Sequence, residues 1–285
     1  MRWRTGRRSQ NVEDRRGTRI TRGAAGGGLG IIVLALVAMY FGVDPSIVLQ
    51  QGIPTSNVAP GQTGSESRSR EEDQLAEFVS VVLADTEDTW GALFPQMGET
   101  YQDPTLVLFS GAVQSACGFA QAAMGPFYCP ADNKVYIDLS FYHDLRQRHG
   151  ASGDFAQAYV IAHEIGHHVQ NLLGISAKVQ ARRQRVGKAE ANALSVRQEL
   201  QADCLAGIWG YHANRSRNIL EAGDLEEALN AASSIGDDRL QRQARGYVTP
   251  ESFTHGSSEQ RVRWFRRGIE KGDITACDTF EVEQL

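Results

Sequence analysis

Cysteine is scarce in this chain, and its spacing narrows the options further. Cys117, Cys129, Cys204 and Cys277 are the only four in 285 residues. None stands in a CxxC pair, so a cysteine-ligated zinc cluster is not expected. No internal repeat is present. With 41% hydrophobic and 22% charged residues, the composition excludes a disordered chain, a collagen-like repeat and a many-spanning membrane protein. The length suits one large domain or two small ones.

The formal net charge of −5 averages two unlike parts. Residues 1–22 carry eight arginines against Glu13 and Asp14, a balance of +6, and the remainder carries −11. Next to this basic head, residues 23–43 contain no charge and centre on Ile31 to Phe41. A spanning helix needs about 20 such residues. The reading is therefore a basic cytoplasmic tail over 1–22 and a transmembrane helix over 23–43, oriented by the positive-inside rule. A cleaved signal peptide is the rival. Either reading exports the rest of the chain. It also makes topology, rather than nucleic-acid binding, the role of the arginines. In an oxidising compartment four cysteines read as two disulfides. Cys117 with Cys129 would close a short loop, and Cys204 with Cys277 would tie the tail to a helix, but three connectivities are open.

Residues 44–70 are rich in Pro, Ser, Gly and Gln and read as a flexible linker. The folded domain then covers 71–285. Leu75, Phe78, Val79 and Val82 have helical spacing. Residues 105–109 and 135–139 are strand candidates. From Asp154 onward helices dominate: one from Asp154, which can act as a cap with Gln157, to Gly174; one from about 195 to 216; one near Asp224; and one opened by a Ser257–Gln260 capping box and closed at Gly272. A small sheet followed by helices gives an α+β fold.

His163-Glu164-Ile165-Gly166-His167 is an HExxH motif inside the first of those helices. Four residues advance a helix by about 400°, so both imidazoles share a face and reach one metal ion. Glu164 lies about 100° away, where its carboxylate can polarise a metal-bound water. Catalytic zinc takes three protein ligands and keeps one open position. The metzincin extension fails, because Gln170 and Leu173 occupy its Gly and His positions. A later carboxylate is the alternative. Glu199 and Asp203 share a helix face, so Glu199 can be the third ligand while Asp203 accepts a hydrogen bond from His163. Ala202, Ala206 and Gly207 would let the two helices approach. Glu190 is the reserve ligand.

HExxH followed by ExxxD resembles the gluzincin type of zinc peptidase. More specifically, the chain resembles the bacterial neutral zinc metallopeptidase family of membrane-anchored proteins. The resemblance spans about residues 71–280 and rests on several blocks in order. They are residues 115–118, 125–130 and 135–139, the Ala162–Gln170 segment around HExxH, Glu199 to Cys204, and Ser252 to Gly256. It implies a zincin-like fold, one zinc per chain and a peptide or protein substrate.

A peptidase also needs a donor for the developing oxyanion. His255, just before the Ser257 cap, is the first candidate, and the Tyr247 hydroxyl the second. His168 is expected to point away from the metal face. A substrate backbone could add to an edge strand between Leu106 and Ala116. The expectation is a single-pass membrane protein with an extracytoplasmic zinc peptidase domain. The competing reading is a non-catalytic, zinc-stabilised envelope protein that binds a partner through its groove.

Overall fold

The computed structural model describes residues 1–17 and 69–285. Its main sheet has four strands in the order β1 (Val12–Asp14), β2 (Thr105–Phe109), β6 (Lys134–Asp138), β5 (Phe127–Cys129). The first three run parallel and β5 is antiparallel to β6. A hairpin of β3 (Ala112–Ser115) and β4 (Gly118–Gln121) forms a second, two-stranded sheet. Side chains alternate across a strand, so β2 and β6 of the main sheet serve two cores. Leu106, Leu108, Val135 and Ile137 face the helices, while Val107, Phe109 and Tyr136 meet Val113 and Ala120 of the hairpin.

The helices are α1 (Arg70–Leu93), α2 (Ser140–Gln147), α3 (Asp154–Leu172), α4 (Ile175–Arg183), α5 (Lys188–Arg217), α6 (Asp224–Ser234), α7 (Asp237–Arg245) and α8 (Ser258–Lys271). Ser257 and Gln260 form the capping box of α8, and Gly272 closes it in a left-handed conformation. Asp154 does not cap α3. Gly153 holds the cap position at φ 119°, and the Asp154 carboxylate instead accepts a hydrogen bond from the Met1 amine at 2.5 Å. Helix α3 lies close against α5 because Gly166 has no side chain: a Cβ there would stand 2.9 Å from the Ala202 carbonyl oxygen. Gly207, expected to serve the same contact, faces α8 instead, where a Cβ would stand 2.2 Å from the Phe265 carbonyl oxygen.

The described part of the basic head, residues 1–17, belongs to this unit. Residues Met1–Thr18 cluster with Arg68–Leu285. Strand β1 extends the main sheet beside β2, and Trp3 packs edge-on against Phe78. Buried Glu87 accepts hydrogen bonds from Arg7, Ser9 and Asn11. Arg16 is also buried, with two bonds to Asp14 and one to the Glu72 carbonyl.

Two expectations are corrected here. An α+β domain is present, but the preceding transmembrane helix and the single-pass topology are not supported. Among the described residues no helix is long and apolar enough to cross a membrane, and the segment 23–43 lies outside them. A strand that shares a sheet with β2 also cannot lie across a bilayer from it, as a cytoplasmic tail on an exported domain would require. Most of the expected linker, 44–70, lies outside the described residues as well.

Candidate metal centre

Helices α3 and α5 bring His163, His167 and Glu199 together, with ligand atoms all within 4.8 Å of one another. The Nε2 atoms of His163 and His167 lie 3.2 and 3.4 Å from the same oxygen, Glu199 Oε2. Each far nitrogen is already engaged. His163 Nδ1 donates to Asp203 Oδ1 at 2.8 Å, and His167 Nδ1 to Gln170 Oε1 at 2.9 Å. Those partners hold a proton on Nδ1 and turn Nε2, the nitrogen left to bind a metal or a second proton, inward. Two imidazole nitrogens and one carboxylate oxygen are a donor set that suits zinc, with a further position left for water or substrate.

The electrostatics fit a site built for a cation. Burial depresses the His167 imidazole, but the Glu199 charge outweighs it and pushes the pKa up to about 9. His163 is raised too, because Asp203 and Glu199 overcome its burial. Glu199 is held well below the usual carboxylate range: burial acts against this, and His167 and His255 more than offset it. Glu164 follows His163 on α3. It is only 8% exposed, and its side chain makes no hydrogen bond among the described residues.

Asp203 is fully buried and carries more than His163. Arg261 Nε and Nη2 donate to its two oxygens at 2.9 and 3.0 Å, and the Tyr159 hydroxyl donates to Oδ1 at 2.5 Å. Burial raises its carboxyl, yet Arg261 and His163 bring it down to about 2.

His255 is held from behind by Asp237. One oxygen, Oδ2, accepts the backbone N–H groups of Thr254, His255 and Gly256 at 2.7, 2.6 and 3.0 Å. The other lies 3.4 Å from His255 Nδ1. The His255 side chain is half exposed, and Glu199 is among the charges that raise its pKa.

The chain matches the model of a family described as "Putative neutral zinc metallopeptidase" over residues 1–280. It belongs to that family. The matched span includes the head, in keeping with its place in the sheet. YpfJ of Escherichia coli (strain K12), an uncharacterized protein, is 54% identical over 98% of this chain and 99% of its own length. Rv2575 of Mycobacterium tuberculosis (strain H37Rv), also uncharacterized, is 42% identical over 87% of this chain and 86% of its own. No solved structure matches the chain. The family's description points, at that coarse level, to a zinc-dependent hydrolase acting on peptide or protein substrates.

The other candidate residues lie as follows. Glu190 does not join the cluster and pairs with Arg182 at 3.2 Å. Tyr247 is 61% exposed and carries the Arg245 guanidinium over its ring. His168 is fully buried, fixed between the Tyr128 hydroxyl and the Gln102 carbonyl, and its pKa is lowered by burial to about 4. The cysteines form two disulfides, Cys117–Cys129 and Cys204–Cys277. The stretch Leu106 to Ala116 offers no free edge to the main sheet. Strand β2 is flanked by β1 and β6, whereas β3 pairs with β4 alone and keeps its other edge unpaired among the described residues; in the main sheet the edge tied to α3 is β5, with Tyr128 bonded to His168 and Asn171.

Four residues of the site went unread in the sequence: Gln170, Tyr159, Asp237 and Arg261. Two had a usable signal. Gln170 stands three residues after His167, hence on the same helical face. Arg261 precedes Trp264, Phe265 and Gly268 by three, four and seven residues, the spacing of a buried face, and all four are buried.

Proposed function

We propose that the chain is a zinc-dependent peptidase whose metal is held by His163 Nε2, His167 Nε2 and Glu199. The convergence of both Nε2 atoms on Glu199 Oε2, with both Nδ1 protons already placed, carries this reading. Zinc bound there supplies Lewis acidity toward water and toward a peptide carbonyl. Glu164 then acts as general base: its carboxylate takes a proton from the attacking water and delivers it to the nitrogen of the leaving amine. Its lack of a structural hydrogen bond leaves the carboxylate available for that transfer. His255 donates a hydrogen bond to the developing oxyanion, and Asp237 fixes the loop that aims it. An extended substrate adds as a strand beside β5, the edge of the main sheet tied to α3.

The test is Glu164→Gln in the full chain. Zinc should stay at one per chain while cleavage of a peptide library falls at least ~100-fold, the usual scale for losing a general base. Undiminished cleavage would reject the role of Glu164. Stoichiometric zinc in the wild type with no cleavage of the library would favour the non-catalytic, partner-binding reading.

A further inference from the structure

The two ring protons of the metal histidines are fixed in different ways. His163 donates to a carboxylate, which can only accept. His167 donates to an amide, and an amide can present either end, so something must orient Gln170. Gln170 is fully buried, and both hydrogens of its Nε2 are committed: one to the Gln198 carbonyl at 2.7 Å, the other to Gln201 Oε1 at 3.0 Å. Gln201 is an amide too, and its Nε2 donates to the Cys277 carbonyl at 3.1 Å. A backbone carbonyl can only accept, so the Gln198 and Cys277 oxygens dictate the direction of every bond inward. Gln201 must offer its oxygen to Gln170, and Gln170 must offer its oxygen to His167.

The outermost member of this chain belongs to the C-terminal disulfide. Cys277 is bonded to Cys204 on α5, and both are fully buried. The Gln198 carbonyl lies one residue before Glu199, so Gln170 also links the turn of α3 that bears His167 to the turn of α5 that bears the carboxylate. Thr279, beyond the disulfide, is fully buried and bonds back to Arg197 on α5 in both directions, which holds the tail in register.

We infer that Gln170, Gln201 and the Cys204–Cys277 disulfide form a positioning relay that sets the His167 ring for metal binding, making the C-terminal tail a working part of the metal centre. The inference rests on the proposal that His167 holds the metal. The relay is a set of positioning residues, since none of them reaches the inward-facing donor atoms.

The experiment measures zinc affinity of the full chain by competition with a chromophoric chelator, and the visible absorption of the cobalt-loaded protein. His167→Ala tests the underlying assignment. If it binds zinc as tightly as wild type, the metal-centre reading fails whatever the relay does. Where His167→Ala loses zinc, Gln170→Met and Gln201→Met should weaken zinc about 10–100-fold, the usual effect of removing an outer partner of a metal histidine. Their cobalt bands should shift, as a merely structural role would not require. The Cys204→Ser/Cys277→Ser double variant should move both readouts in the same direction, and it replaces Gln201→Met should that variant not fold. Zinc affinities within about twofold of wild type and unchanged cobalt bands in Gln201→Met or in the double variant would overturn the relay.

Discussion

Arg261→Met removes the cation that neutralises Asp203 and keeps most of the apolar stem. Asp203 is fully buried and Arg261 is 3% exposed, so neither group has water to fall back on. The guanidinium makes two bonds to the carboxylate, one to the Tyr159 hydroxyl at 3.1 Å and one to the Ile235 carbonyl at 3.3 Å. Methionine abolishes all of these, together with the 3.4 Å approach of Nη2 to His163 Nδ1. Asp203 then stays ionised with only Tyr159 and His163 as partners, or it takes up a proton. Breaking one side of a buried pair costs about 3–5 kcal/mol. For a unit of this size that corresponds to a fall in Tm of roughly 6–20 °C. Urea and thermal unfolding of zinc-free protein at neutral pH would measure it. The pH dependence supplies a second check. The folded Asp203 carboxyl is depressed to about 2, so its pairing stabilises the wild type above the ordinary carboxylate range, and that stability is lost as pH falls through about 2. In the variant, burial pushes the carboxyl the other way. Asp203 then protonates early on acidification, and the gap to wild type narrows as pH drops. Asp203→Asn combined with Arg261→Met should cost less than the two changes summed, because the second partner no longer faces a stranded charge. A loss below about 1 kcal/mol for Arg261→Met, on the scale of an exposed pair, would refute the account of Arg261 as the counter-charge of the site.

Deleting residues 1–17 strips β1 from the sheet edge and Arg7, Ser9 and Asn11 from the buried Glu87 carboxylate, so the shortened chain should lose cooperative melting or fall in Tm by several degrees. An unchanged melting curve would show that the head is not a structural element. Zinc binding must displace the proton that His167 carries below its raised pKa of about 9. Affinity should therefore climb with pH by up to about one decade per unit and per proton until that value is passed. Calorimetry in buffers of different ionisation enthalpy should show proton release at neutral pH; its absence there would contradict the protonated, zinc-free pair.

The proposed metal ligands were legible because helical periodicity alone puts residues four apart on one face, and both HExxH and ExxxD use that spacing. What spacing cannot supply is the distance between two helices, and here a missing side chain sets it. Gly166 sits inside the motif at a position that chemistry leaves open, yet a Cβ there would press on Ala202 of α5. The head was misread for a different reason. Eight arginines beside an uncharged run carry the signature of a membrane topology, and Val12–Asp14 is too short for any periodicity to announce a strand. Its partners, Leu106 to Leu108, lie more than ninety positions along the chain. Part of the charge asymmetry is internal complementarity: Arg7 meets Glu87 and Asp88, and Arg8 meets Glu77, all three on α1.

The same physics explains which site residues stayed hidden. A charged or amide side chain in a helix is read as solvated unless its position says otherwise, because most are. Arg261 lies among Arg263, Arg266 and Arg267 in one stretch of α8, and composition gives no reason to single it out. Only the phase of Trp264, Phe265 and Gly268 does, by turning Arg261 inward toward Asp203. Asp237 had no such phase. Its role depends on three successive N–H groups of a loop seventeen to nineteen residues later, a contact created by folding and written in no local pattern. The residues proposed to hold the metal were therefore readable from local spacing, whereas those that aim them depend on which buried acceptors and charges the tertiary fold leaves to be matched.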